Sequence, residues 1–139
     1  MQRREKLMVL LIRLDAGVLL CALFAIFLPT HWMQATHAWL GLGELPDLPI
    51  ARYLTRSLSA LYALRGGLVL FISFDVERYA PLVTFMAVTT IVFGLALVAI
   101  DLAAGMPWYW VLAEGPVIAG IWALILWLQK GVKNGRVEG

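Results

Sequence analysis

The sequence predicts an all-α integral membrane protein, a four-helix bundle with a short interfacial helix between helices 1 and 2. Hydrophobic residues make up 62% of the 139 residues and charged residues 14%, a composition outside the usual range of soluble domains. Four apolar segments also reach the length of about 20 residues that a helix needs to cross a bilayer. They lie at about 7–28, 50–74, 81–102 and 108–128, and one transmembrane domain accounts for residues 1–139.

Prolines set the limits of these helices, because proline ends a helix or occupies its first turn. Pro29 follows the first segment, Pro49 precedes the second, Pro81 lies in the first turn of the third, and Pro107 precedes the fourth. The first segment follows a basic start but is too long for the apolar region of a signal peptide. We therefore expect a retained helix.

The first connection interleaves tryptophan and leucine with polar residues, a pattern typical of a helix that lies in the headgroup plane. We expect this helix from about Thr30 to Leu42, ended by Gly41 or Gly43. In the fourth segment, Pro116 cannot donate a hydrogen bond to the carbonyl one turn earlier. A kink near Leu112 is the expected result.

Small residues predict where helices approach each other closely. Gly66 and Gly67 in the second segment and Gly94 with Ala96 in the third are the candidates. Cys21, the only cysteine, is interpreted as a small buried apolar residue.

The basic residues predict the orientation in the membrane, since lysine and arginine concentrate on the cytoplasmic side. The first and third connections carry none of them, and the first instead holds Glu44 and Asp47. Both termini are therefore expected in the cytoplasm. The basic excess is interpreted as an orientation signal and an anchor to anionic lipid, with no nucleic-acid partner. The residues concerned are Arg3, Arg4, Lys6, Arg78, Lys130, Lys133 and Arg136.

Opposite charges within the apolar segments predict an ion pair. Asp15 and Arg65 both lie roughly 12 Å from the cytoplasmic end of their helices, at about 1.5 Å per residue. We expect them to form a structural pair within the membrane. Arg13 lies closer to the cytoplasm and can extend to the interface or join Asp75 and Glu77.

A second set of charges faces the outer side and is the candidate ligand-binding site. Arg52 and Arg56 lie one turn apart on one helix face, and Glu114 enters the membrane from the same side. Tyr109 and Asp101 complete the candidate set. Ionisable residues inside a membrane are functional by default, but a set of mutually satisfied structural pairs explains this composition equally well. The sequence leaves both interpretations open.

The residues for metal, haem or nucleophilic chemistry are few. His31 and His37 both lie in the first connection, whereas haem needs histidines on facing helices, and the sequence contains no phosphate-binding loop or catalytic triad motif. We therefore predict no catalytic residue, no metal site and no cofactor.

Several stretches resemble the DoxX-like and BphX-like group of small bacterial membrane proteins. They are the basic start, "AGVLLCALFAIFLP" in the first helix, "ARYLTRSLSALYALRGGLVLF" in the second and "EGP" in the fourth. The resemblance covers nearly the full chain. It implies a four-helix architecture in the inner membrane of a bacterium and no catalytic residue, and some members of the group are linked to redox or aromatic-degradation systems as accessory proteins.

Three functions remain as hypotheses. The first is a non-enzymatic accessory or scaffold subunit of a larger membrane complex, with a membrane-protein partner or a second copy of the chain. The second is a binder or transporter of a small anionic or lipidic ligand through the outer arginine and glutamate cluster. The third is a small membrane enzyme acting on a lipid or quinone-like substrate.

Overall fold

The computed structural model describes the backbone of residues 3–137 and the side chains of residues 3–132, and this part of the chain contains helices but no strand. The side chains of Lys133 and Arg136, two of the predicted orientation signals, lie outside the described residues. The helical segments are α1 (Arg3–Leu20), α2 (Ala22–Phe27), α3 (Thr30–Trp39), α4 (Pro49–Ile72), α5 (Ala80–Ala103), α6 (Trp108–Ala113) and α7 (Gly115–Val137).

Within residues 3–137, three helical stretches are long and apolar enough to cross a membrane. They are Arg3–Phe27, which joins α1 and α2, Ala80–Ala103, which is α5, and Trp108–Val132, which joins α6 to most of α7. These stretches indicate a membrane protein. α4 has 24 residues, but its arginines lower its mean hydropathy and it is not one of the three. The fourth crossing of the membrane therefore stays a prediction.

Two helices end in the same hydrogen-bonded motif, built around a glycine with positive φ. After α3, Gly41 has φ of 72°, and the N–H groups of Gly41 and Leu42 donate to the carbonyls of Ala38 and His37. This is a Schellman motif, which satisfies the last carbonyls of a helix. A helix in the first connection ending near Gly41 was predicted. The helix ends at Trp39, earlier than the predicted Leu42, because Leu40 is already its C-cap.

The described chain divides into two compact units. Of the described residues, 3–13 and 72–137 form the first, called the α5–α7 unit, and 14–71 form the second, called the α4 unit. In the α5–α7 unit the principal helix interface is between α5 and α7, and α6 packs on both. Its fully buried core includes Ile12, Ile72, Val83, Trp122, Ile125 and Leu128.

The backbones of α5 and α7 approach closely where two glycines face each other. A Cβ added at Gly94 would lie 2.7 Å from the carbonyl oxygen of Gly115 and 3.0 Å from Cβ of Ala119. A Cβ added at Gly115 would collide with the carbonyl oxygen of Gly94 and lie 2.8 Å from Cγ2 of Val98. The packing role predicted for Gly94 is therefore confirmed, and Gly115 is its partner. The role predicted for Ala96 was wrong, because Ala96 is exposed, about 200° around the helix from Gly94.

In the α4 unit, α4 packs on the end of α1 at Gly66. A Cβ added at Gly66 would lie 2.9 Å from both Cβ of Leu19 and the backbone nitrogen of Leu20. A Cβ added at Gly67 would meet no atom within 4 Å. The prediction of close packing is thus confirmed for Gly66 and wrong for Gly67, which lies one residue, or about 100°, further around the helix.

Cys21 is exposed, so the expectation that it is buried was wrong. It occupies the turn between α1 and α2, and it follows the buried Ala16 by five residues. Five residues correspond to a rotation of about 140° around a helix, which places Cys21 away from the packed face.

Candidate functional site

The five predicted ligand-binding residues belong to different units. Arg52 and Arg56 lie on α4 in the α4 unit, whereas Asp101, Tyr109 and Glu114 belong to the α5–α7 unit. Because Arg56 and Glu114 belong to different units, their predicted pairing stays a prediction.

Arg52 has a partner close to it in sequence. Its Nη1 lies 2.9 Å from Oδ1 of Asp47, with exposed side-chain fractions of 42% and 59%. Asp47 lies just before α4, so the pair connects the helix start to the preceding loop. An exposed pair of this kind contributes at most about 1 kcal/mol. Arg56, one turn further along α4, is exposed.

Asp101 occupies the last turn of α5 and is held by the end of that helix. Its carbonyl oxygen accepts a hydrogen bond from the N–H of Met106 at 2.9 Å, and the N–H of Gly105 bonds to Leu102. Gly105 has φ of 69°, which completes a second Schellman motif. The residue is only 6% exposed, and its carboxylate Oδ2 is buried without a hydrogen-bond partner.

Glu114 lies at the interruption between α6 and α7. Its φ and ψ of −92° and −81° leave the helical region, so the break falls two residues beyond the kink predicted near Leu112. Pro116 explains the interruption, because it has no N–H to offer the Leu112 carbonyl. The half-buried Glu114 side chain accepts a hydrogen bond from Trp110 Nε1 at 2.7 Å. The next residue, Gly115, packs against Val98, which lies one turn before Asp101 on α5.

Tyr109 stands at the start of α6, where its ring contacts Trp108 edge to face, with ring centroids 6.1 Å apart. The side chain is 41% exposed. Of the predicted set, the structure therefore places Asp101 and Glu114 in the same region of the α5–α7 unit. Two carboxylates repel an anion and attract a cation, which is the opposite of what an anion-binding site requires.

A polar recess in the α5–α7 unit was missed by the sequence reasoning. Two cavities of about 140 and 210 Å³ share Glu5, Val76 and Glu77 among their lining residues. Gln129, which lines the smaller cavity, donates to the Ala80 carbonyl at 2.7 Å and accepts from Thr84 Oγ1 at 2.9 Å. Gln129, a polar residue next to the apolar run of the fourth segment, could have indicated this recess.

Arg13 lines the larger of these cavities together with Asp75 and Glu77, the acids beside which it was predicted. Its Nε donates to Ser73 Oγ at 3.3 Å, and its guanidinium lies 5.7 Å from the centre of the Phe74 ring. Arg13 thus has a hydrogen-bond acceptor and an aromatic face near it.

Asp15 and Arg65 both belong to the α4 unit and are partly buried. Each is the direct neighbour of a residue at the contact between α1 and α4, since Gly66 faces Ala16 and Leu19 there. Neither side chain is isolated. Their mutual ion pair stays a prediction, and this placement is compatible with it.

No family model matches the chain, and no curated protein or solved structure matches it either. The resemblance to DoxX-like proteins therefore stays an expectation from the sequence.

Proposed function

We propose that the chain is a four-helix protein of the bacterial inner membrane, with both termini in the cytoplasm, that serves as a non-enzymatic accessory subunit of a larger membrane complex. The resemblance to the DoxX-like group favours the same role. The partner is another membrane protein or a second copy of this chain.

The exposed surface of α4 supports a fourth crossing. Large apolar side chains lie exposed along the helix at Leu54, Leu58, Leu61, Leu64, Leu68 and Phe71. A contiguous apolar surface of this kind is unfavourable in water and favourable against lipid or protein. The 24 residues of α4 span about 36 Å at 1.5 Å per residue, more than the hydrocarbon thickness of about 30 Å.

The basic residues also favour a fourth crossing. With three crossings, the N-terminal and C-terminal basic clusters would lie on opposite sides of the membrane. With four, the clusters around Arg4 and Lys130 and the turn with Arg78 all face the cytoplasm, as the distribution of lysine and arginine in membrane proteins favours.

The observation that carries the accessory role is the local pairing of polar side chains that could have bound a ligand. Arg52 is bound to Asp47, and Gln129 is bound to Thr84 and Ala80. The remaining outer pair, Asp101 and Glu114, is acidic. Such an arrangement favours structural roles for the arginines over the capture of an anion.

Native mass spectrometry after purification in mild detergent tests this role. We expect the chain in a complex of fixed stoichiometry, with a second membrane protein or with itself. An isolated monomer that carries a bound anionic small molecule, lost in Arg56→Gln, would contradict the accessory role and favour the ligand-binding alternative. Arg78→Gln, a change of arginine in a cytoplasmic turn, is the matched control for the loss of one positive charge.

Reporter fusions test the topology separately. A fusion at residue 139 should report the cytoplasm and a fusion within residues 41–45 the outer side. A C-terminal fusion that reports the outer side would leave three crossings and remove α4 from the membrane.

A further inference from the structure

Two acidic residues of the α5–α7 unit stand at the carboxyl-terminal ends of helices. Asp101 is in the last turn of α5, and Glu114 is the C-cap residue of α6. The carboxyl end of a helix carries a partial negative charge, which disfavours a carboxylate and favours a cation. The effect is strongest at α5, which has 24 residues.

One carboxylate oxygen of Asp101 is buried without a hydrogen-bond donor. The residue is 6% exposed, and Oδ2 is buried with no hydrogen-bond donor. A buried carboxylate oxygen is unfavourable unless a donor or a cation compensates it. The neighbouring Glu114 adds a second negative charge instead of a compensating one.

The interruption between α6 and α7 frees a backbone carbonyl oxygen, a type of atom that binds small cations in broken membrane helices. The Leu112 carbonyl has no donor from the following turn, because residue 116 is proline. Trp110 fixes one carboxylate oxygen of Glu114 at 2.7 Å, and a carboxylate can accept several further contacts. Interrupted membrane helices use such freed carbonyls and carboxyl ends to bind small cations.

We infer that Asp101 and Glu114, together with the backbone at the α6–α7 interruption, form a binding site for a small monovalent cation of the Na⁺ type. Divalent calcium requires six to eight oxygen ligands, more than two carboxyl side chains and one freed carbonyl supply. This site is independent of the accessory role.

The test measures the thermal unfolding of the full chain in lipid nanodiscs at constant ionic strength, with NaCl replaced stepwise by choline chloride. A ligand that binds the folded state raises the melting temperature with its concentration. We expect a saturable rise with NaCl that choline chloride does not give. Asp101→Asn and Glu114→Gln should each abolish the difference, while Glu44→Gln, which changes an exposed loop acid, should retain it.

Several results would overturn the site: equal melting temperatures in both salts, a sodium effect that survives in both variants, or a response to calcium or pH alone. If the variants do not fold, the fluorescence of Trp110 provides the second measurement. Sodium titration of the wild-type protein should change a tryptophan signal that is missing in Trp110→Phe. A wild-type signal that stays constant throughout the titration would refute the inference.

Discussion

Replacing Gly94 by alanine should force α5 and α7 apart. The added Cβ would lie 2.7 Å from the Gly115 carbonyl oxygen, 3.0 Å from Ala119 Cβ and 3.2 Å from the Ala119 backbone nitrogen. Favourable contacts between such atoms are about 3.5–4.0 Å, and two of these three neighbours are backbone atoms. No side-chain rotation relieves them, so the helices must move by several tenths of an ångström or more.

Overpacking of a tight interface costs about 1–3 kcal/mol, and we expect Gly94→Ala to lose stability within that range. Gly115→Ala should behave alike, because its Cβ would collide with the Gly94 carbonyl. Gly120→Ala on α7 is the control, since its Cβ would meet no atom within 4 Å. Alanine is the better helix former by about 1 kcal/mol, so this control should be neutral or stabilised.

Equilibrium unfolding in mixed detergent micelles, with added dodecyl sulfate as the denaturant and far-ultraviolet circular dichroism as the signal, measures these differences. The free energy of unfolding should rank Gly120→Ala at or above wild type and Gly94→Ala clearly below it. Equal stabilities of Gly94→Ala and Gly120→Ala would refute the close approach of the two backbones.

Three further changes test other contacts by the same measurement. Gly66→Ala should cost about 1–3 kcal/mol, because its Cβ would lie 2.9 Å from two atoms of α1, while Gly67→Ala should cost nothing; similar losses in both would exclude that contact. Asp15→Asn and Arg65→Leu should each destabilise the protein, and the double variant should recover part of the loss, whereas additive losses would exclude the pair. Gln129→Leu should cost about 1 kcal/mol by removing two hydrogen bonds, and unchanged stability would show that these bonds contribute nothing.

The placement of the helices could be predicted because it depends on local features, namely the prolines and the length of each apolar segment. Pro29, Pro49 and Pro107 each stand at a helix limit, where the missing N–H and the fixed φ decide the conformation without help from distant residues. Gly41 ends α3 for an equally local reason, its φ of 72°. The local sequence does not show which helix surfaces pack against each other.

Partner choice was therefore harder to predict than placement. Gly94 was expected at a helix contact, but its partner Gly115 was not predicted, because no local feature of the sequence shows which two glycines will face each other. Arg52 was assigned to an anion site although Asp47 lies five residues before it. The pair could have been predicted from this spacing, because Asp47 lies just before α4 and its side chain can reach back to an arginine in the first turn of the helix.

The close contact of α5 with α7 and the acidic pair belong to one region of the α5–α7 unit. Gly115 touches Gly94 and Val98 and directly follows Glu114, while Asp101 lies one turn beyond Val98. The glycines thus set the distance between the two carboxylates, so Gly94→Ala should weaken the sodium response together with stability. Gln129→Leu changes the opposite end of the same helix pair and should lower stability without altering that response. A sodium response that survives in Gly94→Ala would separate the packing contact from the cation site.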